Sequence, residues 1–311
     1  MRFRHPLAFA ALLACAACTP DVEEERRLGG EVAAQYDARL PVVRDAPIAG
    51  WLQALGDSLA RVAHPGGGPY RFTLVNSAEL NAFALPGGHV YVNRGLVERV
   101  GSRDELAGVL AHEIGHVVHR HGVEQMVKRQ RSGIGMTIVC LFVDVCSSGL
   151  AQVAVELGGN ALFAKYGRDD EREADADAVA TLARAGMDPR AVPSMLRVLQ
   201  RAEGRDPSLV DAFLGSHPLT TERVERTTAQ ADSVVRAGAA RALPRDGTGR
   251  DGTGRDGTGR DGVPRDDADF AAFVARVKRL PPPTAGPTQG WRDAGHAPPV
   301  NPNPRGGADV P

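Results

Sequence analysis

Apolar residues recur at helical spacing over most of the chain, and in a few short stretches they alternate with polar ones. Residues 21–64 carry two amphipathic segments, and Tyr70–Asn76 alternates as a strand does. The stretch NAFALPGGHVYVNRGLV then predicts a strand, a Pro-Gly-Gly turn, a second strand and the start of a helix. We therefore expect a mainly α fold with a small β-sheet, of the α+β class.

The next predicted helix begins at Ser102. Ser102 and Glu105 form a capping box directly before an apolar-periodic run, and we expect this helix to continue to about Arg131. The run GIGMTIVCLFVDVC that follows stops at Asp144, short of the roughly 18 apolar residues that a transmembrane helix needs. A buried helix is the better interpretation of that run.

Further helices are predicted at about 150–185, 190–203 and 220–238, the first ending at stop signals in RAGMDP. The five-residue repeat RDGTG then predicts a flexible linker over 241–265, because it offers no apolar residue to bury. Its period does not fit a calcium-binding repeat. A short amphipathic helix at 266–280 and a Pro-rich disordered tail at 281–311 complete the chain.

The first 18 residues have the pattern of a bacterial lipoprotein signal peptide. Two arginines precede an apolar run, Leu7–Ala17, and small residues precede Cys18, which we expect to be lipidated. Cys15 is the alternative lipidation site, and ordinary cleavage to a soluble exported protein is the other interpretation. Thr19, where Asp would favour inner-membrane retention, favours a periplasmic protein anchored to the outer membrane.

Composition sets two further limits. The 311 residues are 42% hydrophobic, enough for a sizeable core in residues 19–240, and the net charge of -1 argues against a nucleic-acid partner. Cys140 and Cys146 would remain in the mature domain. Six residues apart on a straight helix they lie about 9 Å apart along the axis, so buried free thiols are favoured over a disulfide unless the helix breaks.

The stretch LAHEIGHVVHRHG contains four histidines, and their spacing separates them. His112 and His116 lie one turn apart on one helical face, where two imidazoles can share a zinc ion. Glu113 between them is placed as the general base of an H-E-x-x-H motif. The pair His116 and His119 lacks such a base, and His121 is expected near the helix end, in a packing or supporting role.

The third ligand must come from elsewhere, and YGRDDEREADADAVA supplies carboxylates. Glu171 and Asp175 are four residues apart on one face, so that either could bind the metal while the other orients a ligand histidine. Glu173 is expected to point away. Alanines around this pair would let the segment pack closely against the helix of His112.

These motifs together resemble the gluzincin metallopeptidases, the family that includes the CAAX prenyl protease, HtpX, BepA and LoiP. NAFALPGGHVYVNRGLV, ELAGVLAHEIGHVVHRHG, YGRDDEREADADAVA and SHPLTTER match in content and order, over roughly residues 23–235. The resemblance implies a zincin-like fold with one Zn²⁺ per chain. It makes Glu171 the third ligand, Asp175 its supporting partner and possible proton donor, and His217 a fourth ligand in a self-inhibited resting state.

The function expected is a zinc metalloendopeptidase that degrades unfolded or misassembled envelope proteins. Arg223 is a candidate oxyanion stabiliser, and an edge strand containing Gly88, His89, Val90 and Tyr91 could pair with an extended substrate. The competing interpretation is a non-catalytic, zinc-containing, chaperone-like lipoprotein of the periplasm, against which an intact Glu113 argues.

Overall fold

The fold begins with two capped helices, which were predicted from their amphipathic pattern. The computed structural model describes residues 20–131, 166–242 and 267–283. Helix α1 spans Val22–Arg39 and α2 spans Ala46–Ala63. Asp21 and Asp45 cap them, each accepting a hydrogen bond from a backbone N–H three residues on, which satisfies one of the unpaired donors of the first turn.

A three-stranded sheet follows, with β1 at Arg71–Val75, β2 at Ala82–Leu85 and β3 at His89–Asn93. Its order is β1-β3-β2: β3 pairs with β1 in parallel and with β2 antiparallel. A strand that was expected at the edge is therefore central. The prediction that Gly88, His89, Val90 and Tyr91 present an open edge is wrong, and within the described residues β2 is the edge strand that approaches the site.

The contacts of Tyr91 show why β3 cannot pair with an extended substrate. Its ring stacks on Phe83 with centroids 4.9 Å apart, and its hydroxyl donates to Asp37 at 3.0 Å. Val90 is fully buried. Strand β3 is thus paired along both edges, and other side chains cover both of its faces.

The helix that carries the H-E-x-x-H motif runs through the centre of the core. After the short helix α3 (Arg94–Arg99) comes α4 (Arg103–Val118), capped by Ser102, whose hydroxyl accepts the Glu105 N–H at 3.1 Å. Residues 106–116 of α4 are all buried. A helix buried on every side holds its side chains in single positions, which a metal site requires.

The expected continuous helix from Ser102 to about Arg131 is wrong. Helix α4 ends at Val118, Arg120 adopts a left-handed φ of 57°, and α5 begins anew at His121 and ends at Arg131. Arg120 is held in place by Glu25, whose carboxylate accepts its Nε at 2.7 Å. The residue with the left-handed conformation is not a glycine, so the sequence gives no signal of the break. The ion pair with Glu25 stabilises this conformation of Arg120 instead.

Helix α6 (Arg168–Arg184) packs closely against α4, as the predicted alanine face implied. Ala174 and Ala178 are fully buried. The contact is so close that a Cβ atom added at Gly115 would lie 3.1 Å from the Cα of Ala174. This contact brings the two halves of the site together.

The remaining helices close the core. They are α7 (Ala191–Glu203), a 3-10 turn (Pro207–Leu209), α8 (Asp211–Ser216), α9 (Thr221–Ala242) and α10 (Asp267–Lys278). Helix α10, predicted as a separate amphipathic segment, lies on α2: Phe273 stacks on Trp51 with centroids 4.0 Å apart. Arg276 pairs with Asp45 at 2.7 and 2.9 Å. The predicted mainly α fold with a small sheet is confirmed.

Several predictions fall outside the described residues. They are the signal peptide with Cys15 and Cys18, the apolar run with Cys140 and Cys146, most of the RDGTG linker and all but the first residues of the tail. Among the helices that the structure describes, none combines the length and the apolar character needed to cross a membrane.

Candidate metal centre and active site

Four buried side chains from three parts of the fold converge on one point. His112 and His116 come from α4, Glu171 from the first turn of α6, and His217 from the residue after α8. The two Nε2 atoms of His112 and His116 are 3.1 Å apart, and His217 Nδ1 lies 3.4 Å from His112 Nε2 and 2.9 Å from Glu171 Oε1. The structure thus brings together all the predicted ligands.

The donors fit a tetrahedral metal ion. Ligands bound to zinc at about 2.0–2.1 Å lie about 3.4 Å from one another. The donors of neighbouring side chains are 2.9 Å to 3.6 Å apart, counting either oxygen of Glu171, and all four lie within 4.8 Å of one another. Imidazole nitrogens and a carboxylate are the usual zinc donors. All four side chains are at most 2% exposed, so their mutual approach is not an accident of a mobile surface.

Glu113 is the second feature of the centre. It is fully buried, and within the described part of the chain no side chain donates a hydrogen bond to either carboxylate oxygen; the backbone N–H of Ala84 is the donor that acts on it. Its Oε1 lies 3.7 Å from His217 Nε2. A buried carboxylate without a side-chain partner is costly, which indicates a group that the fold keeps for a ligand or a reactant.

Asp175 lies behind the cluster, next to the ligand His112. Its Oδ1 lies 3.2 Å from His112 Nδ1, the ring nitrogen that faces away from the other donors. A carboxylate this close to Nδ1 favours the hydrogen on that nitrogen, which leaves Nε2 as the lone-pair donor to a metal. The two carboxylates that sequence reasoning could not tell apart are thereby distinguished: Glu171 is among the donors and Asp175 lies behind them.

Arg223 contacts both carboxylates. Its Nε and Nη2 donate to Asp175 at 2.9 and 2.7 Å, and its Nη1 pairs with Glu171 and donates to the carbonyl of Pro218. The side chain is buried and its donors are occupied. Arg223 therefore holds the two carboxylates of α6 in position, a role that the sequence did not predict. Its link to Pro218 also ties the loop of His217 to the site.

His121 makes the equivalent contact to the second ligand. The break at Arg120 turns its ring back, so that its Nδ1 lies 2.9 Å from His116 Nδ1. Its Nε2 lies 3.1 Å from Glu173 Oε2. Glu173, expected to point away from the site, thus reaches it through His121. The supporting role expected of His121 is now a specific contact.

Tyr166 is a residue of the site that sequence reasoning did not single out. Its ring stacks on His116 with centroids 3.9 Å apart at 21°. Its backbone N–H donates to the carbonyl of Ser216 at 2.9 Å, next to His217. The only signal was an aromatic residue just before the ligand helix, a position that periodicity does not mark.

The protonation of the site suits metal binding. Burial lowers the pKa of His116 well below its ordinary value, which favours the neutral ring that can ligate. Burial opposes the ionisation of Glu171, but His217 and hydrogen bonds from His116 and His217 bring its pKa well below the usual range. Burial raises the pKa of Glu113, as expected of a group that must accept and release a proton.

A buried H-E-x-x-H helix, a glutamate from a second helix and a small sheet beside them define a zincin-type metallopeptidase domain. The sequence comparison agrees, because the model of peptidase family M48 matches residues 48–231. The chain belongs to that family.

Similar proteins include the beta-barrel assembly-enhancing proteases of Yersinia pestis, 31% identical over 215 residues, and Escherichia coli, 30% identical over 237 residues. These matches cover 67% and 73% of this chain but only 44% and 47% of the relatives, so the chain spans less than half of their length. The metalloprotease YcaL of Escherichia coli is 28% identical over 176 residues, covering 55% of this chain and 67% of its own.

Proposed function

We propose that this protein is a zinc-dependent metalloendopeptidase of the bacterial cell envelope. The observation that carries the proposal is the placement of Glu113. Its buried carboxylate, which has no side-chain hydrogen-bond partner in the described chain, stands beside a cluster of His112, His116 and Glu171 with nearly tetrahedral donor spacing. A merely structural zinc site has no use for such a base.

The residues divide the reaction between them. When bound to this cluster, Zn²⁺ supplies Lewis-acid chemistry that acidifies water and polarises a carbonyl group. Glu113 accepts the proton of the attacking water and delivers it to the leaving amine, a cycle that its raised pKa favours. Asp175 and Arg223 hold His112 and Glu171 in position throughout.

The edge strand β2 is the proposed binding strand for an extended substrate. Asn93 N–H donates to the carbonyl of Asn81, and hydrogen-bonded pairs alternate along an antiparallel ladder. Ala82 and Ala84 therefore turn their backbone groups towards the free edge. Burial raises the pKa of Glu113, and the backbone N–H of Ala84 is one of the groups that oppose this rise. The free edge of β2 therefore lies beside the base. Ala84, Pro86, His116 and Tyr166 line a small cavity beside this edge.

Main-chain pairing at that edge reads little sequence, which suits unfolded substrates. The relatives named beta-barrel assembly-enhancing proteases support an envelope location and protein substrates. We therefore propose degradation of misfolded or unassembled envelope proteins in the periplasm, with lipidation at Cys18 anchoring the chain to the outer membrane.

His217 is proposed as a fourth ligand of a resting state. Catalytic zinc sites keep one position open for water or substrate, whereas four protein ligands close the site. His217 Nδ1 lies among the other donors and the residue ends a short helix, so withdrawal of the loop after α8 would open that position. Substrate would displace His217.

The deciding experiment compares wild type with Glu113→Gln for zinc content and for cleavage of casein as an unfolded substrate. We expect equal zinc and a loss of cleavage of at least about a hundredfold, the size that general-base removal produces. Equal cleavage by the two proteins would overturn the protease proposal, and absence of zinc from both would overturn the metal assignment.

A further inference from the structure

A second group of metal-binding side chains lies next to the first. His119 ends α4, His121 begins α5, and Glu173 lies one turn along α6 from the ligand Glu171. Glu173 Oε2 is 3.1 Å from His121 Nε2 and 3.6 Å from His119 Nδ1, and the two imidazole rings stack at 13° with centroids 5.3 Å apart. The three donor atoms all lie within 4.8 Å of one another, as those of the first cluster do.

His119 also has a supporting carboxylate. Its Nε2 lies 2.9 Å from Asp177 Oδ2, an acceptor to which that nitrogen can donate its hydrogen. With the hydrogen on Nε2, Nδ1 is the ring nitrogen left to bind a metal ion, and it lies on the side of Glu173. Asp177 would support His119 as Asp175 supports His112.

We propose that His119, His121 and Glu173 form a second, solvent-accessible site for a divalent transition metal. Two imidazoles and one carboxylate suit Zn²⁺, Cu²⁺, Ni²⁺ or Co²⁺ and not Ca²⁺ or Mg²⁺, which prefer oxygen ligands alone. The His119 and Glu173 side chains are 34% and 58% exposed, so an ion can enter from solvent, whereas the first cluster is buried. With three protein ligands, water completes the coordination.

The contact between His121 and His116 couples the two sites. When His116 is neutral and its Nε2 lone pair binds the metal of the first site, its hydrogen is on Nδ1. That N–H donates a hydrogen bond to His121 Nδ1 at 2.9 Å. His121 then carries its own hydrogen on Nε2. A metal at the second site needs that Nε2 as a lone pair, which places two N–H groups face to face. Metal binding at the second site therefore lowers the metal affinity of the first site, so that excess metal inhibits peptide cleavage.

Metal counting tests the site without relying on peptidase activity. The full chain is stripped with chelator and titrated with Zn²⁺ against a chromophoric competitor. We expect two ions on wild type, the second weaker, and one tight ion on His119→Ala and on Glu173→Gln. His64→Ala, a histidine outside both clusters, is the matched control and should keep two. One ion on wild type, or two on His119→Ala, would overturn the second site.

His112→Ala separates this proposal from the proposed function, on which only the inhibitory effect rests. It should lose the tight ion and keep the weak one, whether or not the protein cleaves peptides. Retention of both ions by His112→Ala would instead count against the first cluster, and so against the proposed function.

The coupling is tested by adding Zn²⁺ beyond one equivalent during casein cleavage. We expect wild type to be inhibited, and His119→Ala to resist about tenfold more Zn²⁺ because it lacks the weaker site while its first cluster is untouched. Inhibition of both proteins at the same Zn²⁺ concentration would show that the excess metal acts elsewhere and would overturn the coupling.

Discussion

Arg223 grips Asp175 with two hydrogen bonds of 2.9 and 2.7 Å, and the same guanidinium pairs with Glu171. One cation from α9 thus holds a metal donor and the carboxylate that orients another donor. Burial disfavours this cation, but hydrogen bonding and charge from Asp175 and Glu171 raise the pKa of Arg223 further above its ordinary value. The stability of the site and its metal affinity are therefore linked through one residue.

Replacing Arg223 should weaken metal binding. Loss of the groups that support metal ligands costs about 10–100-fold in affinity, and we expect this for Arg223→Met in a chelator competition assay. Arg223→Lys keeps the charge but loses the two-pronged geometry, so it should recover only part of the affinity. Arg226→Met is the control, because Arg226 is partly exposed and reaches Asp175 with one bond at 2.9 Å. Equal losses at positions 223 and 226 would contradict the assignment.

Removing the fourth donor should raise activity. His217→Ala opens a coordination position, and we expect faster casein cleavage together with weaker zinc binding, since one of four donors is gone. Initial rates at saturating zinc separate the two effects. The nearby Ser216→Ala, which leaves the imidazole in place, should retain the wild-type rate. A rate unchanged in His217→Ala would remove the resting-state proposal and leave the other three ligands standing.

Acid should destabilise the metal-free protein through Asp175. Burial opposes its ionisation, but hydrogen bonds from His112 and Arg223 lower its pKa to about 2 from the ordinary 3.8. The unfolded chain therefore binds this proton more tightly than the folded chain does. The contribution is complete above about pH 4 and is lost as the pH falls towards 2, amounting to about 2 kcal/mol. Urea unfolding of chelator-treated wild type should show this slope.

Asp175→Asn tests whether the acid slope belongs to that carboxylate. The substitution should flatten the dependence between about pH 4 and 2, since the amide does not titrate. Asp57→Asn, at an exposed position of α2, should leave the slope as in wild type. A slope that survives in Asp175→Asn would assign the acid sensitivity to other groups.

The C-terminal helix should contribute strongly to stability. Phe273 is 5% exposed and stacks on Trp51, and truncation of a buried phenylalanine costs about 3–5 kcal/mol. We expect Phe273→Ala to lower the free energy of unfolding by that amount, with a smaller red shift of the tryptophan emission on denaturation because Trp51 is already more exposed in the folded variant. Lys278→Ala, on the exposed side of α10, should change it by less than about 0.5 kcal/mol. A small effect of Phe273→Ala would mean that α10 is not part of the core.

Most of the correct predictions came from local patterns in the sequence. The Ser102 cap, the helical period and the i, i+4 histidines are set by neighbours in sequence, and each was found where it was expected, except that the Glu105 carboxylate of the predicted capping box accepts the N–H of Gly101 instead of that of Ser102. The strand pair β2–β3 was equally accessible, because a Pro-Gly-Gly turn joins its members. The ligand set followed from the motif together with the resemblance.

The features that were wrongly predicted or missed all depended on distant contacts. The position of β3 in the sheet is set by its parallel pairing with β1, which no turn signal announces. The break after α4 needs Glu25, which lies 95 residues before Arg120. Arg223 was named as a candidate oxyanion stabiliser, and its two carboxylate partners lie on another helix, which local sequence does not reveal. Periodicity describes which face of an element is buried, but not which element covers it.

The contact between Gly115 and Ala174 has a consequence for how the site tolerates change. Gly115 lies inside the H-E-x-x-H motif, yet it touches no metal donor; its role is to have no side chain where α6 crosses. A single methyl group there would push α6 away by a few tenths of an ångström and carry Glu171 with it, comparable to the half-ångström tolerance of a metal site. The lack of a side chain at Gly115 therefore sets the distance between α4 and α6, and with it the distance between the two halves of the metal centre.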